Sequence, residues 1–146
     1  MSAPGQAARR QLALKVLAQR AGPGAGAETL AAAARRAYDD LAGVTAPLIG
    51  QVGVDALTGR ALHLARREYP WLVQTGEAPQ SEQPFAQVIS RLARQEPAVA
   101  TEAAGALFAT FMGLLVTFIG EPLTARLLRK AWPDAMPGAD TEETLA

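Results

Sequence analysis

The chain contains no cysteine and a single histidine, His63. Disulfides, thiolate catalysis, cysteine-ligated zinc or iron–sulfur centres and sites built from several histidines are therefore excluded. Aromatic residues are few, with four Phe, two Tyr and two Trp in 146 residues. Runs of β-branched and aromatic residues bounded by turns, which mark strands, are nearly absent. Neither charge is in excess, because 14 basic side chains balance 14 acidic ones. A nucleic-acid interface draws on a basic surplus gathered on one face, so no nucleic-acid partner is expected. The chain also lacks the G-x-S-x-G elbow, the G-x-x-x-x-G-K-[ST] loop and the dinucleotide fingerprint. Neither of its adjacent carboxylate pairs is read as an acid/base pair: Asp39 and Asp40 are neighbouring helix positions that point apart, and Glu142 and Glu143 fall in the tail. No catalytic residue, metal site or cofactor emerges, and the chain is not expected to be an enzyme.

What it has in quantity is alanine, 32 residues, the best helix former. Hydrophobic residues make up 49% of the chain, enough for a core at this length. The apolar period is helical nearly everywhere. The reading is an all-α, single-domain bundle of six to seven helices over residues 1–133, followed by an acidic disordered tail, 134–146. Helices are expected at about 6–20, 28–42, 54–69, 84–95, 97–119 and 122–132, with a short one capped by Thr45 ahead of Pro47. "AGPGAG" (21–26) is a turn, Gly53 is expected to break the chain, and residues 74–83 form a loop. Phe85, Val88, Ile89 and Leu92 fall at i, i+3, i+4 and i+7, an amphipathic stripe. Arg35 and Asp39, four apart on one helix, are placed to pair. Residues 1–27 hold Arg9, Arg10, Lys15 and Arg20 and no acid, and Lys15 interrupts the only apolar run that would suit a signal segment.

Residues 103–120, "AAGALFATFMGLLVTFIG", carry no charge. Their length reaches the lower edge of a membrane span. Their eight Leu, Ile, Val and Phe residues contribute only about −2 to −5 kcal/mol on the insertion scale. Glycine, threonine and the flanking Glu102 and Glu121 offset part of that, and no aromatic belt brackets the stretch. It is therefore read as the central, buried helix, about 97–119. Gly105, Ala109 and Gly113 stand four apart on it. Such a small-residue stripe allows close helix approach, either within the chain or across a two-fold interface.

Arg60, His63 and Arg67 share one helix face, with Val54, Leu57, Ala61 and Leu64 expected on the core side. The basic face is read as solvated, or as an anion contact that titrates through His63. Tyr69 and Trp71 around Pro70, like Trp132 ahead of Pro133, seal a core edge or form the lip of a pocket. Glu121 is read as a helix-start residue favoured by the helix dipole. The stretch "LIGQVGVDALTGRAL" (48–62) loosely resembles a DNA-binding helix-turn-helix, with its turn at Gly53. Ile49 stands where that motif has a small residue and Gly59 where it has an apolar anchor, so the stretch is read as an αα-hairpin.

The functional expectation is a non-catalytic regulatory or protein-interaction module, self-associating through helix faces as a homodimer. An alternative is a sensor or carrier that holds an apolar small molecule between helices. A lesser one is a membrane-attached or DNA-binding protein. The alanine- and arginine-rich style looks bacterial, and the expected location is cytoplasmic.

Overall fold

The computed structural model describes residues 3–72 and 84–135, which are helical with no strand among them. Five α-helices are formed: α1 (Ala3–Ala21), α2 (Ala27–Ala65), α3 (Pro84–Ala93), α4 (Pro97–Ile119) and α5 (Glu121–Ala131). Short 3₁₀ turns follow at Pro70–Leu72 and Pro133–Ala135. The chain stays packed to Ala135, which is buried, beyond the expected end of the domain at 133. The expected loop 74–83, and the tail from 136 onward, lie outside the described residues.

The count of five replaces the expected six to seven for one physical reason. The segments anticipated between 28 and 69 form a single run, α2, whose one non-helical residue is Gly50 (φ 85°, ψ 156°). That conformation is open essentially to glycine alone. Gly53, the expected break, is helical, and the Ile49 side chain lies only 3.1 Å from where its Cβ would stand. Thr45 is no cap: its hydroxyl donates to the Leu41 carbonyl at 2.7 Å, inside the helix. The consequence of Gly50 is large. Tyr38 Oη and Thr58 Oγ1 are 2.7 Å apart. A straight helix would hold residues of that separation about 30 Å apart. The two arms of α2 therefore fold back on each other, with Gly50 at the apex.

The other helix ends follow local rules. Gly22, at φ 85°, ends α1, and its N–H reaches the Ala18 carbonyl at 2.9 Å, a left-handed glycine cap. Pro97 opens α4 after an extended Glu96, where a missing N–H costs nothing. Gly120 (φ 93°, ψ 161°) ends α4 and caps α5, so two bends use nearly the same glycine-only conformation.

α4 packs against α1, α2, α3 and α5. Its residues Ala103 to Ala109 are all buried in succession, which covers every side of the helix, since a turn takes 3.6 residues. Phe85 of α3 stacks on Tyr38 of α2 at 4.1 Å between ring centroids. Phe108 of α4 meets Trp132 edge-on at 5.8 Å. Trp132 is 1% exposed, and its indole N–H donates to the Ala37 carbonyl of α2 at 3.1 Å. The residue is thus a core anchor that ties the end of α5 to α2. Of the ion pairs, Arg35–Asp39 forms as the spacing predicts, at 3.3 Å; exposed, it contributes a few tenths of a kcal/mol at about 0.3–0.5.

Candidate functional site

The stripe Gly105–Ala109–Gly113 is not free for a second copy. A Cβ at Gly105 would stand 2.8 Å from Leu14 Cδ2 of α1, and one at Gly113 would lie 3.6 Å from Arg9 Nε. Ala109 is buried. The missing side chains let α1 cross closely over α4, so the stripe serves a contact inside the chain.

Arg60 and His63 lie exposed on the second arm of α2, whereas Arg66 and Arg67 lie exposed in the turn just after it, because the helix expected to run to 69 ends at Ala65. The core side of that arm is Val54, Thr58, Ala61, Leu62 and Ala65, whereas Leu57 and Leu64 are only half-buried. The stripe is shifted because Thr58, a polar residue, faces inward to meet Tyr38. Tyr69 and Trp71 contact each other edge-on at 6.1 Å and pack half-buried against the core. Neither lines the two clefts described below, and nor do Arg60, His63 and Arg67.

Two features escaped the sequence reading. The first is the apex of α2. Val52 is 84% and Leu48 48% exposed, beside a half-buried Ile49. The apex is held by a polar chain: Thr58 Oγ1 donates to the Val54 carbonyl at 2.9 Å, which leaves it to accept from the Tyr38 hydroxyl. Burial raises the Tyr38 hydroxyl above its ordinary value of 10.0; the Thr58 hydrogen bond pulls downward, and Asp55 and Asp39 add to the rise. The second is a cleft of about 220 Å³ where the first half of α1 meets the end of α4 and the start of α5. Leu12, Val116 and Leu128 wall it, and Arg9, Glu121 and Thr124 bring polar groups to it. A smaller cleft of about 160 Å³ lies by Gln19, Arg20 and Asp134. Its polar groups are engaged with one another or with the helices around them: Gln19 donates to the Asp134 carbonyl and Arg20 pairs with Asp40.

No signal in the sequence sets Arg9 or Thr124 apart from other helix-surface residues. Leu48 and Val52 were visible as apolar residues, but not as exposed ones. Among the described residues, no three His, Asp or Glu side chains gather in a way that would hold a metal ion. Comparison with protein-family models, with curated proteins and with solved structures finds no match to this chain.

Proposed function

We propose that this chain is a helical bundle acting as a non-catalytic interaction module, and that it pairs with a second copy of itself through the outer face of the α2 apex. The observation that carries the reading is the exposure of Val52 and Leu48 in a stretch of low burial. The apolar window of α2, with mean hydropathy 1.3, is only 22% buried. Large apolar side chains exposed close together in sequence are a candidate interaction surface. A second copy fits best because residues 42–54 contain no charged side chain. A two-fold contact places like against like, and an uncharged surface does so without repulsion. A cytoplasmic location and a regulatory role belong to the same reading.

The test is sedimentation of the full chain across a range of micromolar concentrations, beside Val52→Glu. The wild type is expected to dimerise. The variant places two carboxylates at the contact and is expected to dissociate at least about tenfold more readily, a change of about 1.4 kcal/mol, with unchanged helical content. A wild type that stays monomeric, or a dimer indifferent to Val52→Glu, would sink the reading.

A further inference from the structure

We propose that the cleft between α1, α4 and α5 binds a small, singly charged carboxylate with an apolar body. The argument starts from two buried polar atoms, Arg9 Nε and Thr124 Oγ1, which have no hydrogen-bond partner and belong to residues lining the same cleft. Buried polar groups are nearly always paired, so two unpaired donors carried by residues of one cleft point to an occupant.

Thr124 is 1% exposed. Its behaviour departs from that of Thr45, Thr58, Thr101, Thr110 and Thr117, each of which donates its hydroxyl to the carbonyl four residues back. The Thr124 hydroxyl makes no such bond. Only its backbone N–H reaches the Gly120 carbonyl, at 3.1 Å. The Arg9 guanidinium lies against two glycines, with Nη1 3.3 Å from the place a Cβ would take at Gly5 and Nε 3.6 Å from that at Gly113. The missing side chains at Gly5 and Gly113 thus leave room for the guanidinium, which forms no ion pair among the described residues. The cleft also receives the start of α5, an 11-residue helix with no side-chain cap, whose dipole favours an anion.

The surroundings define the ligand. Arg9 Nε–H and Thr124 O–H are both donors, and a carboxylate accepts from both. Leu12, Val116 and Leu128 meet an apolar body. Glu121, exposed at the rim, opposes a second negative charge and so disfavours phosphate and dicarboxylates. A cavity of about 150 Å³ takes benzene, so this cleft suits a body of about six to nine heavy atoms. None of its lining residues lies in the α2 apex, so the site is independent of self-association.

The experiment is calorimetric titration of the full chain with hexanoate and with benzoate, beside 1-hexanol and inorganic phosphate. At least one of the two carboxylates is expected to bind saturably, with hexanol and phosphate at least tenfold weaker. Thr124→Val keeps the shape and removes the orphan hydroxyl. It is expected to weaken carboxylate binding at least tenfold while the unliganded melting temperature holds or rises. Arg9→Met is expected to abolish binding. No saturable carboxylate binding, equal binding of hexanol or phosphate, or wild-type affinity in Thr124→Val would each overturn the proposal. Should Arg9→Met fail to fold, Thr124→Val and the hexanol comparison decide it.

Discussion

α4 and the middle of α2 are both long and apolar enough to cross a membrane by length and composition, with mean hydropathies of 1.8 and 1.3, yet 56% of one window is buried and 22% of the other. Hydropathy differs far less than surroundings do. α4 is flanked in sequence by α3 and α5, which both pack on it, while α1 and α2 close over its remaining sides. The α2 stretch folds at Gly50, and the outer face of its apex stays exposed at Leu48 and Val52. Even α4 loses cover towards its end, where Phe118 is 64% exposed. Apolar character therefore supplies the drive to be buried, and topology decides whether a partner is within reach.

The contrast is broken most severely by truncating the same kind of side chain in each region. Leu115 of α4 is fully buried, and Leu115→Ala is expected to cost about 2–5 kcal/mol through lost burial and a residual cavity. Val52→Ala, measured at a dilution where the chain is monomeric, is expected to change stability by less than about 0.5 kcal/mol. Chemical denaturation of both variants reads the difference, and equal costs would mean that the apex is buried after all.

Two glycines of α2 sharpen the comparison. Gly50→Ala meets no neighbouring atom within 4 Å, yet its φ of 85° resists a side chain, so the expected loss is about 1–3 kcal/mol of pure backbone strain. Gly59 is helical and also meets nothing within 4 Å, and Gly59→Ala is expected to gain about 0.5–1 kcal/mol from helix propensity. Opposite signs in thermal unfolding are the expected outcome; a neutral Gly50→Ala would place the bend elsewhere.

The smallest effect concerns the bond that closes the apex. Tyr38→Phe removes the hydroxyl that meets Thr58 and is expected to cost about 0.5–1.5 kcal/mol near neutral pH. The pH dependence has a definite sign. The folded state holds the Tyr38 proton more tightly than the unfolded chain, whose value is the ordinary 10.0. Its contribution is therefore fully present below about pH 10 and is lost as pH rises through the raised folded value. Alkaline unfolding of wild type should show this slope, and Tyr38→Phe should flatten it. Parallel alkaline curves for the two proteins would remove Tyr38 as the cause.

Parts of this structure were legible where the responsible chemistry is local. The limits of α4 coincide with the expected 97–119 because Pro97 and Gly120 act on their own backbone. The α3 stripe was legible because Phe85, Val88 and Leu92 are all buried, as helical spacing demands. At the α2 bend the sequence offers Gly50 and Gly53 three residues apart, and local rules do not separate them. Packing of Ile49 against Gly53 and the contact between Tyr38 and Thr58 make the choice. Thr45 illustrates the same limit, since a cap and a helix-interior threonine differ only in which carbonyl or N–H the hydroxyl reaches.

The sequence alone determined that this chain is helical, that it builds no cysteine-based or multi-histidine site, and that Pro97 and Gly120 bound α4. Those properties follow from side-chain chemistry and backbone sterics within a few residues. Only the tertiary structure decided which of two apolar stretches became core, that the glycine stripe of α4 would be covered by α1, and that Arg9 and Thr124 would share one cleft. Each of those outcomes joins residues far apart in the chain, and no local preference encodes which distant surface will arrive to cover them.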